Sequence, residues 1–347
     1  MPALNHDQRR ESINTHQRFG AWQEAKDRVA GFRGSLTWHA IRGEDHLIRS
    51  YYDSAGIRRQ RSEGRRADTT EKQKSDWDRG RAKAQERLTN ARRFMTRQAA
   101  VNRALKLGRV PDLTARILRA VDDVKLLGRG LRVVGTNAIY AYEAAAGEFV
   151  ESELTTTVDV DLLFDSRHKL RLARVDGGLE PDLMTLLRRV DRSFEKALRP
   201  YQAINRDGFV VDLIKPLRNP PWTPDEDRVG SGSEDLSAVP IVGLPWHENA
   251  PALESVAIDE RGVPLRMVAS DPRVFAAHKL WLSERSDRNP MKRERDKAQA
   301  HAVASLVRRQ LLHLPYEAGE LRMLPREVFE AARPLFEGGP DEDDPFA

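Results

Sequence analysis

The chain has 347 residues, enough at about 100–200 residues per domain for two or three domains with a sizeable core. Its 58 Lys and Arg against 53 Asp and Glu leave a formal charge of +5, a modest excess that admits a polyanionic partner without requiring one. The absence of cysteine excludes disulfides, thiolate nucleophiles, iron–sulfur clusters and Cys-based zinc sites. Neither the opening MPALNHDQRRES nor any later run has the apolar stretch of a signal or of a bilayer span, which needs ~18 residues, so a soluble cytoplasmic protein with no membrane partner is expected.

In chain order, residues 1–30 are polar with little periodicity, apart from a short helix expected around Phe19 to Val29. SLTWHAI, HLIRSYY and IRRQRS, separated by RGED and DSAG, alternate apolar with polar residues and predict three antiparallel strands. Residues 66–107 predict a helix with sparse apolar anchors, and from Arg58 to Arg109 there are 17 Lys or Arg against 6 Asp or Glu. That concentration reads either as a solvated helix laced by i,i+4 pairs or as a phosphate-contacting face. Trp38, Tyr51 and Tyr52 beside the basic strand favour nucleic acid. DLTARILRAVDDVKLL predicts an amphipathic helix, Leu131 to Val134 a short buried strand, Asn137 to Ala146 a helix closed by Gly147, and Glu153 to Phe164 a long strand. Leu183, Leu186, Leu187, Val190, Phe194 and Leu198 recur at helical spacing, and YQAIN-RDG-FVVDLI predicts a hairpin. Residues 218–240 read as a loop, and SVAI-DERG-VPLRMVA as another hairpin. Asp271-Pro272 and Asn289-Pro290 each supply a cap and a first-turn proline for a helix. The ending GGPDEDDPFA is expected to be a disordered acidic tail.

The stretch with most chemistry is LRVVGTNAIYAYEAAAGEFVESELTTTVDVDLLFD. A strand running into Gly135, Thr136 and a helix points unpaired amides and the positive end of a helix dipole at one spot, a seat for phosphate that many ordinary helix starts also share. On the next strand Asp159 and Asp161 share a face, with Thr155 and Thr157 beside them and Val158, Val160 and Leu162 opposite. Two carboxylates so close repel one another, which a divalent cation relieves and a solvated edge strand tolerates. Asp212 in FVVDLI completes a three-carboxylate set for Mg²⁺ or Mn²⁺ if its strand pairs alongside, or else meets an Arg or Lys at a strand edge. Lys215, three residues on, reads as a phosphate contact or as strand-end solvation. No GxxxxGK[ST] motif is present, the glycines of GRGLRVVG precede a strand where a dinucleotide fingerprint follows one, and no two histidines fall at i,i+3 or i,i+4. His278 and His168 read as packing or surface residues.

Glycine plus a small hydroxyl residue at a helix start, Asp-x-Asp on a strand and a later strand Asp together resemble the nucleotidyltransferase superfamily that includes polymerase beta. The spacing from Gly135 to Asp159 is closer to the branch containing the abortive-infection nucleotidyltransferase toxins. GTNAIYAYEAAAG, TTTVDVDLLFD, VVDLIKP and HKLWLSERSDRNPMKRERDKAQA are similar to a bacterial family of nucleotidyltransferase-fold proteins of unassigned substrate, over roughly residues 110–310. The resemblance implies that Gly135 and Thr136 bind nucleotide phosphates, that Asp159, Asp161 and Asp212 hold metal, and that Lys279 approaches the triphosphate, where snorkelling to water is the alternative. It makes Arg295 and Asp296 a basic–acidic pair at the nucleotide, against a plain salt bridge. Thr136 departs from the Ser or Gly common in the superfamily.

An α+β fold is therefore expected, with a nucleotidyltransferase core on a mixed sheet, a small basic β-rich N-terminal module and a helical C-terminal part. The expected division is a β-rich module over 1–65, a connecting basic helix over 66–108, a catalytic core over 109–235, a C-terminal hairpin and helical domain over 236–335 and the acidic tail over 336–347. The expected activity is Mg²⁺- or Mn²⁺-dependent transfer of a nucleoside monophosphate from an NTP to a hydroxyl, RNA favoured over protein or small molecule, with pyrophosphate released. A nucleic-acid-binding protein with an inactive nucleotidyltransferase fold is the alternative, and a toxin or phage-defence protein with an antitoxin partner is a further biological role.

Overall fold

The computed structural model describes residues 3–53, 57–165, 167, 182–223, 225–230 and 232–337. The tip of DSAG, His168 and the acidic run from residue 338 onward lie outside the described residues.

The N-terminal part opens with α1 (His6–Ala30), a 25-residue helix much longer than its sparse apolar residues suggest. Its start is fixed by a capping box, in which the Gln8 amide donates to Asn5 Oδ1 at 2.9 Å and the Asn5 amide donates to Gln8 Oε1 at 3.0 Å. The strands β1 (Ser35–Ile41), β2 (Glu44–Tyr52) and β3 (Arg58–Arg65) form the expected antiparallel meander. The long helix α2 (Asp68–Ala104) follows. Near its N-terminal end Trp77 packs edge-on against Phe32, ring centres 4.8 Å apart. Near its C-terminal end the contacts are polar: Thr15 Oγ1 donates to Asn102 Oδ1 (2.9 Å), Gln98 Nε2 to the same oxygen (3.0 Å), and Asn102 Nδ2 to the Gly262 carbonyl (2.9 Å). Thr15, Gln98 and Asn102 are fully buried there. Gly262 has φ +78°, and a side chain on it would strike the Ala99 carbonyl oxygen at 2.1 Å.

The remainder is built on one mixed sheet. After α3 (Asp112–Asp123) come β4 (Leu131–Val134), a 3₁₀ turn at Gly135–Ala138, α4 (Ile139–Ala146), the single turn α5 (Ser152–Thr155), β5 (Asp159–Phe164) and α6 (Leu183–Val190). Next are β6 (Glu195–Lys196), β7 (Gln202–Ile204), β8 (Val210–Pro216), β9 (Val239–Ile241), α7 (Leu244–Asn249), β10 (Ala252–Ile258) and β11 (Pro264–Ser270). The sheet order is β10-β11-β4-β5-β8-β7-β6, with β9 beside β8. The pairs β11–β4, β5–β8 and β8–β9 are parallel and the others antiparallel. Val133, Val160, Leu162, Val211 and Leu213 line one face at 0% exposure and pack on Ile117, Leu118 and Val121 of α3, Ile139 and Tyr142 of α4 and Leu183 and Leu187 of α6.

The helices α8 (Pro272–Glu284) and α9 (Pro290–Gln310) begin at the expected caps, with Asp271 Oδ1 accepting from the Arg273 amide and Asn289 Oδ1 from the Met291 amide. With α10 (Arg326–Ala332) they enclose a second apolar cluster around Val274, Ala277, Leu280, Leu321 and Phe329.

Two expectations fail locally. Glu153 to Phe164 is not one strand: Ser152–Thr155 is a helical turn, so Thr155 hydrogen-bonds back to the Ser152 carbonyl (3.2 Å) and Val158 is exposed. The helix expected through Leu198 stops at Val190, because the Asp191 carboxylate takes the Ser193 amide (2.9 Å) and hydroxyl (2.8 Å) and turns the chain. Phe194 still reaches the core, whereas Leu198 is fully exposed. Both α7 and α10 lack an expectation in the sequence, being short and fixed by tertiary packing.

Candidate active site

The chain leaves β4 at Gly135 in the left-handed region, φ +62°. A Cβ there would lie 2.0 Å from Asp161 Oδ2, so only glycine lets the turn close over that carboxylate. The closeness follows from register, since Val134 pairs with Asp161 across β4 and β5. On the other side Asp161 pairs with Asp212, and Asp159 with Val210, in the parallel β5–β8 ladder. Directly paired residues point the same way and side chains alternate along a strand, so Asp159, Asp161 and Asp212 share one face above Leu163, Ile214 and Val134, which form a small apolar cluster with Leu244.

That face carries unrelieved charge. The three carboxylates make no ion pair among the described residues. Burial, then the negative charges of Asp159 and Asp212, push the Asp161 carboxyl up to about 7, against the pull of Lys279 and Lys292. Asp212 is also raised, first by burial and then by Asp159, while a hydrogen bond from Gln202 and the charges of Arg199 and Lys292 act the other way. Asp212 Oδ1 is buried without a hydrogen-bond partner. Asp159 accepts a hydrogen bond from Thr157 Oγ1.

The wall opposite is built by α8 and α9. Lys279, 8% exposed, donates to Asp296 Oδ1 at 2.7 Å. Arg288 donates to Asp296 Oδ2 through Nε (2.8 Å) and Nη2 (2.7 Å), so one buried carboxylate clamps two cations. Burial lowers the Lys279 pKa, and Asp296 draws it back up. Arg295 does not pair with Asp296. Its guanidinium donates to the backbone carbonyls of Thr156 and Leu154 instead, holding the turn that precedes β5. Lys215 sits aside, donating to the Glu226 carbonyl at 3.0 Å with Asp225 at 3.4 Å. His278 is buried, its Nδ1 2.9 Å from His247 Nε2, a packing position.

Asp159, Asp161 and Asp212 thus share one sheet face with Gly135 closing over Asp161, the charge of Lys279 acts on Asp161, and Thr136 meets Gln299 of α9, while Asp296 and Arg295 support the α8–α9 side of this candidate cleft. Sequence reasoning passed over three contributors. Gln299, fully buried, donates to the Leu154 carbonyl (2.7 Å) and Thr136 Oγ1 (3.3 Å). Asn137 donates to the Asp159 carbonyl at 2.7 Å, and Arg288 shares Asp296. The spacing Lys292, Arg295, Asp296, Gln299 at i, i+3, i+4, i+7 was the available signal, since it puts all four on one side of α9.

Among the described residues no three His, Asp or Glu side chains stand assembled as a set that could hold a metal. The donors nevertheless suit a hard divalent cation: all are carboxylates, two have pKa values raised first by burial and further by neighbouring carboxylates, and one buried oxygen is unsatisfied. No helix among the described residues is long and apolar enough to cross a membrane.

Neither a curated protein nor a solved structure matches the chain. A family model described as Nucleotidyltransferase matches residues 112–324. The match starts with α3, takes in β5, β8, α8 and α9 and leaves α1, the meander and α2 outside; covering more than half of the chain, it makes the protein a member of this nucleotidyltransferase family.

Proposed function

We propose that the protein transfers a nucleoside monophosphate from an NTP to a hydroxyl acceptor, RNA foremost, with Mg²⁺ or Mn²⁺ held by Asp159, Asp161 and Asp212 and pyrophosphate released. The observation that carries this reading is the register match of Asp161 with Asp212 beneath Gly135, which leaves like charges side by side with no ion pair among the described residues. When bound, the divalent ion supplies neutralisation of charge on the α-phosphate. The acceptor oxygen attacks the α-phosphorus, the bond from that phosphorus to the bridging oxygen breaks, and pyrophosphate leaves. The Asp212 carboxylate takes the acceptor proton. Gly135 and Thr136 offer backbone N–H groups and a hydroxyl to the β and γ phosphates, and Lys279, oriented by Asp296, adds positive charge. In the five-part division of the chain, residues 1–108 then carry the acceptor and 109–335 the chemistry.

The test is incubation with α-labelled NTPs, Mg²⁺ or Mn²⁺ and total RNA. Label enters RNA with the wild-type protein and is lost in Asp159→Asn, Asp161→Asn; undiminished labelling by that variant removes the reading.

A further inference from the structure

The basic charge outside the cleft is unevenly spent. Between residues 58 and 78 seven Lys or Arg face five acids, and most are paired. Arg59 meets Asp53 (2.9 Å), Arg61 meets Glu63 (2.8 Å), Arg65 meets Glu44 (2.8 Å), and Arg66 meets Asp45 and Glu71. The aromatic rings there are covered as well, Trp38 by Arg66 at 5.2 Å and Tyr52 by Arg33 at 4.4 Å. Between residues 79 and 104 eight Lys or Arg accompany one acid, Glu86. Arg79 reaches Asp76 only at 3.8 Å. Lys83, Arg87, Arg93 and Arg97 make no ion pair among the described residues and are exposed.

These four residues lie on one side of α2. At about 100° per residue, Lys83, Arg87, Arg93 and Arg97 fall within a single arc together with Phe94 and Val101. The arc is opposite Ala84, Leu88 and Asn102, which are buried. Glu86 also lies within it. From Lys83 to Arg97 the row runs about 21 Å. Phe94, 45% exposed, breaks the row with apolar surface, and Val101, 38% exposed, extends it beyond Arg97. Three of the four cations are arginines, whose planar fork matches phosphate, and the Phe94 ring between them, with the Arg93 guanidinium 5.7 Å from its centre, keeps 45% of its surface exposed for stacking on an unpaired base.

We propose that this face of α2 is the track on which a single-stranded RNA backbone lies. The proposal rests on the reading of RNA as acceptor, and it assigns binding to α2 and not to the arginines of β3. A duplex would hide the base faces that Phe94 needs.

The experiment measures binding of a fluorescein-labelled single-stranded RNA to the full chain as a function of salt. At about −0.7 per phosphate contact, four contacts give a log–log slope of about −2.8, a loss of about 50-fold between 50 and 200 mM. The variant Lys83→Gln, Arg87→Gln, Arg93→Gln, Arg97→Gln is expected to lose that slope and to bind at least about tenfold more weakly. Gln keeps the helix propensity of the residues it replaces, and an unchanged circular dichroism melt verifies the fold. Arg59→Gln, Arg61→Gln, Arg65→Gln is expected to leave binding intact. Wild-type affinity in the α2 variant, an equal loss in both variants, or preference for duplex DNA or phosphatidylserine vesicles over RNA overturns the proposal. Asp159→Asn, Asp161→Asn separates it from the catalytic reading: that variant binds RNA without labelling it, and if it labels RNA normally the carboxylate reading falls while the α2 track stands.

Discussion

Carboxylates withdrawn from water occur in two regions of this molecule, fully buried in one and half-buried in the other, and are treated in opposite ways. Around the sheet edge and the C-terminal helices each acid has its own cation: Glu143 with Arg109 at 2.9 Å, Asp259 with Arg119 at 2.8 Å, Asp271 with Arg273 at 2.7 Å, Glu248 with Arg218 at 2.7 Å. On the β5–β8 face Asp159, Asp161 and Asp212 share like charge, and the nearest clamped cation, Lys279, is bonded to Asp296. An unpaired charge away from water is costly; these three carboxylates make no ion pair among the described residues, whereas Asp235, fully buried and also without one, is held by the Met184, Gly230 and Leu236 amides. On the function proposed above, the difference separates a face kept for an incoming cation and substrate from pairs that complete the fold.

The comparison breaks most decisively if Asp159→Asn, Asp161→Asn retains activity. Transfer is expected to fall by about 10³-fold or more, several kcal/mol of transition-state stabilisation, with the folded state kept, as labelled-product gels and a thermal melt will report. The mirror experiment is Arg119→Leu, which strands Asp259 and is expected to cost about 3 kcal/mol of stability in urea unfolding. Gly135→Ala joins the two regions, since it strains a left-handed position by about 1–2 kcal/mol and drives a methyl into Asp161; both the melting temperature and transfer are expected to drop.

A gentler test uses pH, in chelator. Asp161 keeps its proton up to about 7 in the folded chain, against about 4 when unfolded. The folded state therefore binds more protons between those values, and stability falls as pH rises through that window. Asp161→Asn is expected to melt above the wild type at about pH 8 and level with it below about pH 4. The smallest effect belongs to Lys215→Ala. Its ammonium is held by Asp225 and the Glu226 carbonyl, so a loss of transfer under about fivefold, at most about 1 kcal/mol, is expected; a larger one would bring Lys215 into the cleft.

Much of the sheet was legible because alternation and turn residues act locally: β4, the hairpin of β7 and β8 and the hairpin of β10 and β11 follow from short apolar runs and Gly or Asp at their breaks. The Asp159 and Asp161 pairing was legible for the same reason. That Asp212 would stand in register with Asp161 depended on which strands become neighbours, which no local pattern states. Arg288 and Gln299 act through partners in distant segments, and their own surroundings in sequence look like an ordinary polar helix. The start of α1 at the Asn5 and Gln8 capping box was missed, because the helix lacks apolar periodicity and its inner contacts include the polar Thr15.

That joint of Thr15, Gln98 and Asn102 with the Gly262 carbonyl bears on how the N-terminal arm behaves. A greasy seam would permit α2 to roll about its own axis, because dispersion contacts have little directional preference. Hydrogen bonds lose strength steeply when misaligned, so this seam sets the azimuth of the helix, and with it the compass direction in which its outer side looks, at a fixed bearing to the sheet.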